Sequence, residues 1–486
     1  MSALKTLITN THVVDILGNV KGRDQPVMML ERACDLVSLL GKSLFEDEET
    51  VFFDPFCKAG EILLACALSR ARRKVSATKQ LLAVDEIQKE LYESKKYFAL
   101  APDERHHRLS LRTFLGNTHS HNEKYNQIIK NGNYLSEIDG RLNEEKFKQE
   151  FKQMIEYIKE VSGKKKIVAV GNPPYQESDG GFGKSAKNIY QYFAESLIDS
   201  PDISEFVLVI PARWFGGGKG MDDFRDKMMK TPHLENLRYF SRASEVFPTV
   251  DINGGICFLH YNKAHNGATN FMDKNHTEQI TFSEFDIIPD DPLAFTVIRK
   301  VQSRWAGKFV GNVAWSRNPY GLATNYFVKN KSLNPNDPNA IPVLSRNRIV
   351  KHMNLNKVPK NKESINLWKV SVPVAAGGSK GKRRSTVPLN QIFIIDKGMI
   401  TTETYNIVDT FKTKAEAENL VAYLKTDFAR YLLGLRKITQ HVTKDRWNWV
   451  PYMDMSKVWT DEELYKFFKI TKEEQEHIKA KIQEWS

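Results

Sequence analysis

The chain has little cysteine and no long apolar run, and both absences exclude classes of protein. Four of its 486 residues are cysteines (Cys34, Cys57, Cys66 and Cys257), and no two of them form a C-x-x-C pair. Their apolar neighbours predict buried, reduced thiols, and neither disulfides nor a zinc site. No apolar run approaches the roughly 20 residues of a membrane-spanning helix, and the N-terminal residues lack the apolar core of a signal peptide. We therefore expect a soluble, cytoplasmic protein without a membrane partner.

Acidic residues are scarce in one part of the chain. The net charge is +12, from 71 basic and 59 acidic residues. Residues 301–486 hold 31 Lys and Arg against 17 Asp and Glu, or +14, which leaves 40 against 42, or −2, for residues 1–300. Within residues 301–400, 17 residues are Lys or Arg and only 3 are Asp or Glu. Such a local excess is typical of a surface that binds phosphate backbone, and it favours nucleic acid over an ordinary surface of mixed charge.

Short apolar strands alternate with helical patterns from Val51 to about Lys263, which predicts an α/β fold. The predicted strands are TVFFDP, QLLAVDE, KKIVAVGNPP, EFVLVIPA and GGICFLHYN. Helices are predicted over residues 27–40 and in ILLACALSRARR. The polar stretch from Arg105 to Gly163 is predicted to be an excursion from the sheet, with a helix in EEKFKQEFKQMIEYIKEV.

The pattern changes between residues 264 and 290, where we place a domain boundary. A first domain is predicted over residues 1–270, and a second, α+β domain with C-terminal helices over residues 290–486. Thr460 and Glu463 have the spacing of a capping box for one of these helices. The segment AAGGSKGKRRST (375–386) predicts a mobile basic loop or an ordinary surface loop. Four aromatic residues are predicted to lie in the core rather than to stack on bases: Trp315, Tyr320, Trp447 and Trp449.

The strongest motif is Asn172-Pro173-Pro174-Tyr175, at the end of the predicted strand KKIVAVG. Ligands bind at the carboxyl edge of an open α/β sheet. The Asn172 side-chain oxygen and the Pro173 carbonyl could accept both hydrogens of an adenine amino group, which frees its delocalised lone pair. The two prolines fix φ and hold these acceptors still, and Tyr175 offers a flat face for a base drawn out of the duplex. The alternative is a plain turn, since Asn-Pro and Pro-Pro are common in turns.

A second element, Asp54-Pro55-Phe56-Cys57-Lys58-Ala59-Gly60, lies between a predicted strand and a predicted helix. A strand, a glycine-containing turn and a helix N-terminus form a site for a polar ligand near backbone N–H groups. The motif lacks the fuller glycine set of a dinucleotide site. Asp85 and Glu86 end the run LLAV, where an acidic group can accept hydrogen bonds from ribose hydroxyls, and we favour Asp85.

Together these elements resemble the adenine-N6 DNA methyltransferases of restriction-modification systems, especially the type II and type I-like methylase subunits. D-P-F-C-K-A-G resembles their D-P-x-x-G-x-G cofactor motif, and N-P-P-Y resembles their catalytic motif. The resemblance covers nearly the whole chain and is weakest between about residues 265 and 345. Further similar segments are QESDGGFGKSAKNIYQYFAESLI, IPARWFGGGKGMDDFR, DINGGICFLHYN and YLKTDFARYLLGLRKITQHVTKDRW.

The resemblance implies a Rossmann-like methyltransferase domain with a twisted, mostly parallel sheet, followed by a target-recognition domain. It implies S-adenosyl-L-methionine as cofactor and double-stranded DNA as substrate, with a specificity or nuclease subunit as a further candidate partner. Glu61 departs from the glycine or small residue of the usual pattern. The catalytic residues implied are Asn172, Pro173, Pro174 and Tyr175. The cofactor-binding residues implied are Pro26, Asp54, Pro55, Phe56, Gly60, Asp85 and Asn172.

Contacts to DNA are predicted from the composition of the C-terminal half more than from a motif. Five basic residues are candidates for phosphate contact: Arg346, Arg348, Lys382, Arg383 and Arg384. Four more lie in the segment LRKITQH, similar to the family: Arg436, Lys437, Gln440 and His441. The alternative for this second group is a surface where helices pack.

Three other functions compete with DNA adenine methylation. N-P-P-Y is also similar to the motif of methyltransferases that act on protein glutamine or on RNA, although the basic C-terminal half favours DNA. A nuclease carrying a methylase domain would need a site such as Asp103, Glu144 and Lys146, whose spacing is long. A DNA-binding subunit without activity would not need an intact N-P-P-Y. The histidines at 106, 107, 119 and 121 lack partners at metal-ligand spacing, so we predict no metal.

Overall fold

The structure is a computed structural model, and the part of the chain that it describes has several gaps. The described residues are 27–78, 87, 90–91, 93–115, 128–136, 141–163, 166–177, 187–218, 220–248, 250, 252, 254–376, 386–437 and 440–482. The chain divides into two compact units, Met1–Ile288 and Pro289–Ser486.

The first unit contains a large sheet, to which the described residues contribute nine strands. They are β1 (Thr50–Asp54), β2 (Tyr97–Ala101), β3 (Ile129–Asn131), β4 (Lys166–Gly171), β5 (Ile203–Pro211), β6 (Leu234–Phe240), β7 (Ile256–Asn262), β8 (Thr269–Met272) and β9 (Thr277–Ile280). Their order across the sheet is β3-β2-β1-β4-β5-β7-β6-β8-β9. The pairs among β3, β2, β1, β4 and β5 are parallel, whereas β7 is antiparallel to both β5 and β6. The mostly parallel sheet predicted for the first domain is thereby confirmed.

The central strands are buried along their whole length, as expected for parallel strands with helices on both faces. Every residue of β1 and β2 is buried. Phe53, near the end of β1, is paired with Phe98 of β2 on one side and Ala169 of β4 on the other. Because parallel strands end at the same edge of a sheet, the segments that follow β1, β2 and β4 share one edge.

Helices connect these strands. They are α1 (Leu30–Val37), α2 (Lys42–Glu46), α3 (Glu61–Thr78), α4 (Glu104–Leu115), α5 (Glu144–Ser162), α6 (Tyr190–Asp199) and α7 (Asp222–Lys230). In α5 the apolar residues at helical spacing are buried, among them Phe147, Phe151 and Met154. Asn143 caps the start of α5 by accepting the N–H of Lys146, and the left-handed Gly163 follows its end. Local sequence and burial therefore agree on this helix.

Most predicted elements of the first unit are confirmed, with two differences. The predicted strand QLLAVDE lies outside the described residues, and the neighbour of β1 on that side is β2, which was not predicted. The stretch from Arg105 to Gly163 is not simply an excursion, because Ile129–Asn131 pairs with β2 as a strand of the sheet. That prediction was wrong because this strand has only three residues and its only strongly apolar one is Ile129, so polar neighbours mask it.

The second unit combines two small sheets with helices, which confirms the predicted α+β class. One sheet has the order β11-β10-β14 and the other β13-β12-β15. The strands are β10 (Ala340–Leu344), β11 (Val350–Asn354), β12 (Trp368–Pro373), β13 (Phe393–Ile395), β14 (Ile400–Thr401) and β15 (Tyr405–Phe411). The helices are α8 (Pro292–Arg304), α9 (Val310–Val313), α10 (Tyr326–Lys329), α11 (Lys414–Leu424), α12 (Asp427–Arg436), α13 (Asp461–Phe468) and α14 (Lys472–Lys481).

Side-chain predictions for this unit are largely confirmed. Thr460 and Glu463 form the predicted capping box at the start of α13, each accepting the backbone N–H of the other. The aromatic residues Tyr320, Trp447 and Trp449 are buried, whereas Trp315 is half-buried. In the parts of both units that the structure describes, no helix has the length and apolar character to cross a bilayer.

Candidate active site

Two loops meet at the carboxyl edge of the first unit's sheet, one following β1 and the other following β4. They are close enough that Gly171, the last residue of β4, could not carry a side chain in this arrangement. A Cβ at Gly171 would lie 2.7 Å from Cδ2 of Phe56 and 3.2 Å from Oδ1 of Asp54. The residue immediately before N-P-P-Y is therefore packed against the D-P-F-C-K-A-G segment, although Asn172 lies 118 positions after Asp54.

The loop after β1 is held by hydrogen bonds to its surroundings. The N–H of Phe56 donates to Oδ1 of Asp54 (3.0 Å), and the N–H of Cys57 donates to the carbonyl of Leu100 in β2 (3.1 Å). The Tyr134 hydroxyl donates to the carbonyl of Pro55 (2.8 Å). Gly60 ends the loop at φ 76°, in the left-handed region that favours glycine. The loop conformation is thus fixed before the first turn of α3.

The N-P-P-Y segment is buried throughout. Asn172 is 2% exposed and Tyr175 is 6% exposed, and both prolines are buried. The carbonyl of Tyr175 accepts the N–H of Ile189 (3.1 Å), and Gln176 pairs with Asn188 just beyond it. The chain on both sides of residues 178–186 is therefore anchored, and the acceptors of the motif are held rigidly at the strand end.

The ring of Tyr175 is enclosed by its neighbours. The ring of Phe247 meets it edge-on at 6.4 Å between centroids, and Nζ of Lys58 lies 5.5 Å from its centroid. A base could stack on Tyr175 only after these neighbours move.

Three charged residues at this edge were not predicted as residues of a methyltransferase site. Lys58 and Glu61 are each 1% exposed, and Asp103, two residues beyond β2, is 6% exposed. Burial lowers the pKa of Lys58 to about 7, against the charges of Glu61, Asp54 and Asp103, which raise it. Burial also raises the pKa of the Asp54 carboxyl well above its usual value, against the hydrogen bond from Phe56. The site therefore concentrates charge of both signs in a poorly hydrated environment.

The carboxylate of Glu61 connects two segments of the site through hydrogen bonds. Its Oε1 accepts the N–H of Met28 (3.1 Å), and its Oε2 accepts the N–H of Ala59 (3.2 Å). It thus ties the residues before α1 to the loop after β1. Burial raises the pKa of Glu61, although these backbone N–H groups lower it.

Aligning the sequence with the motif could have shown that Lys58 is an unusual residue of this loop. In D-P-x-x-G-x-G, read from Asp54, the first glycine falls at position 58 and the second at Gly60. The departure from the pattern within the motif is therefore Lys58, and Glu61 lies just beyond it.

Some of the predicted cofactor residues lie outside the described residues. These are Pro26 and Asp85. The Phe56 ring is fully buried in an aromatic cluster, 4.9 Å from the ring of Phe193 between centroids. Asp103 follows β2, and burial raises its pKa, but the hydrogen bonds and charge of His106 outweigh burial and hold the pKa below its usual value.

The predicted DNA-contact residues of the second unit fall into exposed and buried groups. Arg346 and Arg348 are exposed at the turn between β10 and β11, and the Arg348 guanidinium lies 4.4 Å from the centroid of the Phe393 ring. Arg436 and Lys437 are 4% and 6% exposed. Arg436 donates to the carbonyl of Asp445 and lies over the Trp449 ring at 4.6 Å.

Gln440 and His441 are exposed, and they pair with the chain that leads into the basic segment. The carbonyl of Gln440 accepts the N–H of Ala376, and His441 pairs with Ala375. The three basic residues 382–384 lie outside the described residues.

One cluster in the described ranges has residues of the kind that bind metal ions. Ligand atoms of Glu205, Glu235 and His260 lie within 4.8 Å of one another. Nε2 of His260 is 2.7 Å from Oε1 of Glu205, and its Nδ1 is 2.7 Å from Nδ2 of Asn236. Both ring nitrogens therefore have protein partners, and the cluster acts as a hydrogen-bonded part of the sheet.

Comparison with known proteins gives two sequence matches. Residues 70–247 match the family model described as Eco57I restriction-modification methylase. This range includes N-P-P-Y and begins after the D-P-F-C-K-A-G loop. An uncharacterized adenine-specific methylase of Mycoplasma pneumoniae is 31% identical over 149 residues, which cover 29% of this chain and 34% of that protein. The chain spans about a third of the length of this relative. For the part of the chain that they cover, these matches confirm the resemblance predicted from the motifs.

Solved structures of restriction-modification proteins are also similar to the chain. The type IIL enzyme MmeI, solved in complex with DNA, has a TM-score of 0.43 at 11% identity, covering 90% of this chain and 66% of its own. The type IIG endonuclease BpuSI has a TM-score of 0.40 at 13% identity, covering 94% and 62%. These similarities are distant, and the assignment of the fold rests on the sheet topology described above.

Proposed function

We propose that this chain, which carries the Eco57I methylase match at residues 70–247, is a site-specific DNA methyltransferase acting on the N6 amino group of adenine. We place it in a restriction-modification or other phage-defence context. One observation carries the proposal: N-P-P-Y is buried at the end of β4, and Gly171 just before it packs against Asp54 and Phe56 of the loop that follows β1. This brings an acceptor pair and a polar ligand site to one edge of the sheet.

The N-P-P-Y segment has the groups that the reaction needs. The Asn172 side-chain oxygen and the Pro173 carbonyl would accept the two amino hydrogens of adenine and favour the geometry in which the nitrogen lone pair is free. Pro173 and Pro174 hold these acceptors without offering N–H groups that compete for them. Tyr175 would stack on the base once its neighbours move, which compensates part of the cost of drawing the base out of the duplex.

The residues of the site fit S-adenosylmethionine as cofactor. When bound, this cofactor supplies an activated methyl group on a sulfonium. Asp54 and Lys58 offer charges of both signs to its amino-acid end, and the left-handed Gly60 lets the backbone turn beside it. Asp85, and Asp103 after β2, are candidates for the ribose hydroxyls. Pro26, Pro55, Phe56 and Asn172 complete the proposed set. Holding donor and acceptor in line supplies much of the rate enhancement.

Double-stranded DNA is the proposed substrate, and the second unit is the proposed target-recognition domain. Its excess of positive charge suits the phosphate backbone, and Arg346, Gln440 and His441 are exposed to make contacts. Arg436 and Lys437 would contact phosphate only if their surroundings opened, so we assign them to packing in this conformation. A specificity or nuclease subunit is a further partner that we propose from the family.

The proposal is tested by incubating the purified protein with unmethylated plasmid and S-adenosylmethionine, and mapping modified bases by sequencing. We expect N6-methyladenine at one sequence motif, and a rate at least about 100-fold lower for Asn172→Ala, because a hydrogen-bond acceptor of the transition state is lost. Asn275→Ala, which changes an exposed asparagine between β8 and β9, serves as the matched control and should retain activity. Unmodified DNA with the cofactor still bound would point to RNA or a protein glutamine as substrate, or to a missing partner subunit.

A further inference from the structure

Lys58 is a buried cation in the middle of the proposed cofactor loop, at a position where the family motif has a glycine. It is 1% exposed and occupies the position of the first glycine of D-P-x-x-G-x-G. A glycine in such a loop lets a ligand approach the backbone closely. A lysine side chain at this position hinders the approach of a ligand to the backbone. It also brings an ammonium group to the place where the ligand would lie.

The groups around Lys58 belong to several elements of the site. Carboxylates of Asp54, Glu61 and Asp103 attract its charge, and the ring of Tyr175 lies 5.5 Å from its Nζ. Each carboxylate is held in place by its own protein partner. Phe56 donates to Asp54, Met28 and Ala59 donate to Glu61, and His106 is bound to Asp103. These carboxyl groups are thus held in place around the loop, and Lys58 is the cation beside them.

Charges of both signs in one buried loop match a zwitterionic ligand. An amino-acid group carries an ammonium and a carboxylate, and each needs a partner of opposite charge when it leaves water. Asp54 suits the ammonium. We propose that Lys58 binds the carboxylate of the methionine moiety of S-adenosylmethionine, an inference that rests on the function proposed above.

Burial of the lysine supports this assignment. Desolvation disfavours the charged form of this buried ammonium, even though the carboxylates of Asp54, Glu61 and Asp103 attract it. A bound carboxylate would offset that cost with a charge-assisted hydrogen bond, the strong kind in proteins. The contact to Tyr175 places the same ammonium beside the catalytic segment, so the cofactor and N-P-P-Y would share one buried cation.

The test compares two ligands that differ only in the carboxylate. Calorimetry on the full chain would measure the affinity of wild type, Lys58→Met and Lys58→Arg for S-adenosylmethionine and for decarboxylated S-adenosylmethionine. We expect wild type to prefer the intact cofactor by about ten-fold or more, the range of a hydrogen bond to a charged group. Lys58→Met should lose this preference, while its affinity for the decarboxylated ligand stays within about two-fold of wild type. Lys58→Arg should keep part of the preference.

Other outcomes overturn the assignment. Equal affinity of wild type for both ligands excludes a carboxylate contact, and this comparison stands even if Lys58→Met fails to fold. Equal losses for both ligands in a folded Lys58→Met variant would show that the lysine only shapes the loop. A wild-type chain that binds neither S-adenosylmethionine nor S-adenosylhomocysteine contradicts the proposed function itself, which keeps the two failures distinct.

Discussion

At the scale of single residues, the carboxyl edge of the large sheet is notable for how many charged side chains it buries. Asp54, Lys58 and Glu61 lie within eight residues of one another, and none is more than 2% exposed. Buried charges are costly unless they are paired and hydrogen-bonded. Glu61 meets this requirement through two backbone N–H groups. Clusters of this kind are common at functional sites, where pKa values are displaced.

Replacing Lys58 by methionine should stabilise the protein, and the gain should shrink as the pH rises. The pKa of Lys58 is about 7 in the folded chain, against roughly 10.4 for an unfolded lysine. Below pH 7 both states are protonated, so folding bears the full cost of burying the charge. Above pH 7 the folded state releases the proton while the unfolded state keeps it, so wild type regains stability towards pH 10.

Urea unfolding at several pH values measures this effect. The advantage of Lys58→Met over wild type should fall by about 2 kcal/mol between pH 7 and pH 9. Lys42→Met, at an exposed lysine, should show no such trend. An advantage independent of pH would show that the folded chain keeps the Lys58 proton.

Residue types led to the proposed acceptors of this site but not to its buried charges. N-P-P-Y could be found because its chemistry is local: four adjacent residues at the end of one apolar strand. The approach of Asp54 to Gly171 depends on the pairing of β1 with β4, which no local pattern reveals. Lys58 was missed because a lysine in a loop normally lies in solvent, whereas this one is 1% exposed, with its Nζ 5.5 Å from the centroid of the Tyr175 ring.

At the scale of elements, the turn between β10 and β11 is the best-defined candidate for a DNA contact. Asn347 and Arg348 both have φ of 60°, a left-handed pair that makes the turn sharp. The N–H of Ser345 donates to the carbonyl of Ile349 (2.8 Å) and closes the turn. The backbone N–H of Arg348 donates to the Tyr405 hydroxyl, and its guanidinium lies over the Phe393 ring. Arg348 thus anchors the turn, while Arg346 is exposed at it.

These different positions predict different effects of removing the two arginines. Arg346→Ala should weaken DNA binding similarly for all sequences and lower the salt slope by about one, as expected for one lost phosphate contact. Arg348→Ala should in addition lower the stability of the second unit, because the packing on Phe393 is lost. Fluorescence anisotropy over a salt series and thermal unfolding would measure both. Lys230→Ala, an exposed charge in the first unit, is the control, and an equal loss there would contradict a special role of the turn.

Long periodic elements were predicted well, and short ones were not. Helices α3 and α5 and strands β1, β4, β5 and β7 each have a continuous apolar pattern that the structure confirms. The three residues of β3 are too few for a period to show. Charged residues precede and follow strand β2, so the sequence pattern indicates a polar stretch there. The five residues of the strand are nevertheless all buried.

At the scale of the whole molecule, charge is divided between the two ends of the chain. Residues 1–300 carry −2 and residues 301–486 carry +14. A substrate with regularly spaced phosphates would be attracted by residues 301–486. The proposed methyl transfer to an uncharged base is assigned to residues 1–300. Binding and catalysis should therefore respond differently to ionic strength.

Raising the salt concentration should weaken DNA binding far more than cofactor binding. If about four phosphates are neutralised, DNA affinity falls about 100-fold between 50 and 200 mM salt. The affinity for S-adenosylmethionine should change little, because its charged groups would lie in a buried loop where screening is weak. Anisotropy with a DNA duplex and calorimetry with the cofactor, on the same preparation, test this. A flat salt response for DNA would contradict a phosphate-binding second unit.

The contact between the loops after β1 and β4 also bears on how the gene could be rearranged. These strands are neighbours in the sheet, so the site depends on their pairing and not on which of them is translated first. A circular permutant that joined the ends of the first unit and opened a surface loop between β1 and β4 would bring Asp54 and Gly171 together again. Evolution can therefore exchange the order of the two motifs along the polypeptide while the reaction centre stays the same.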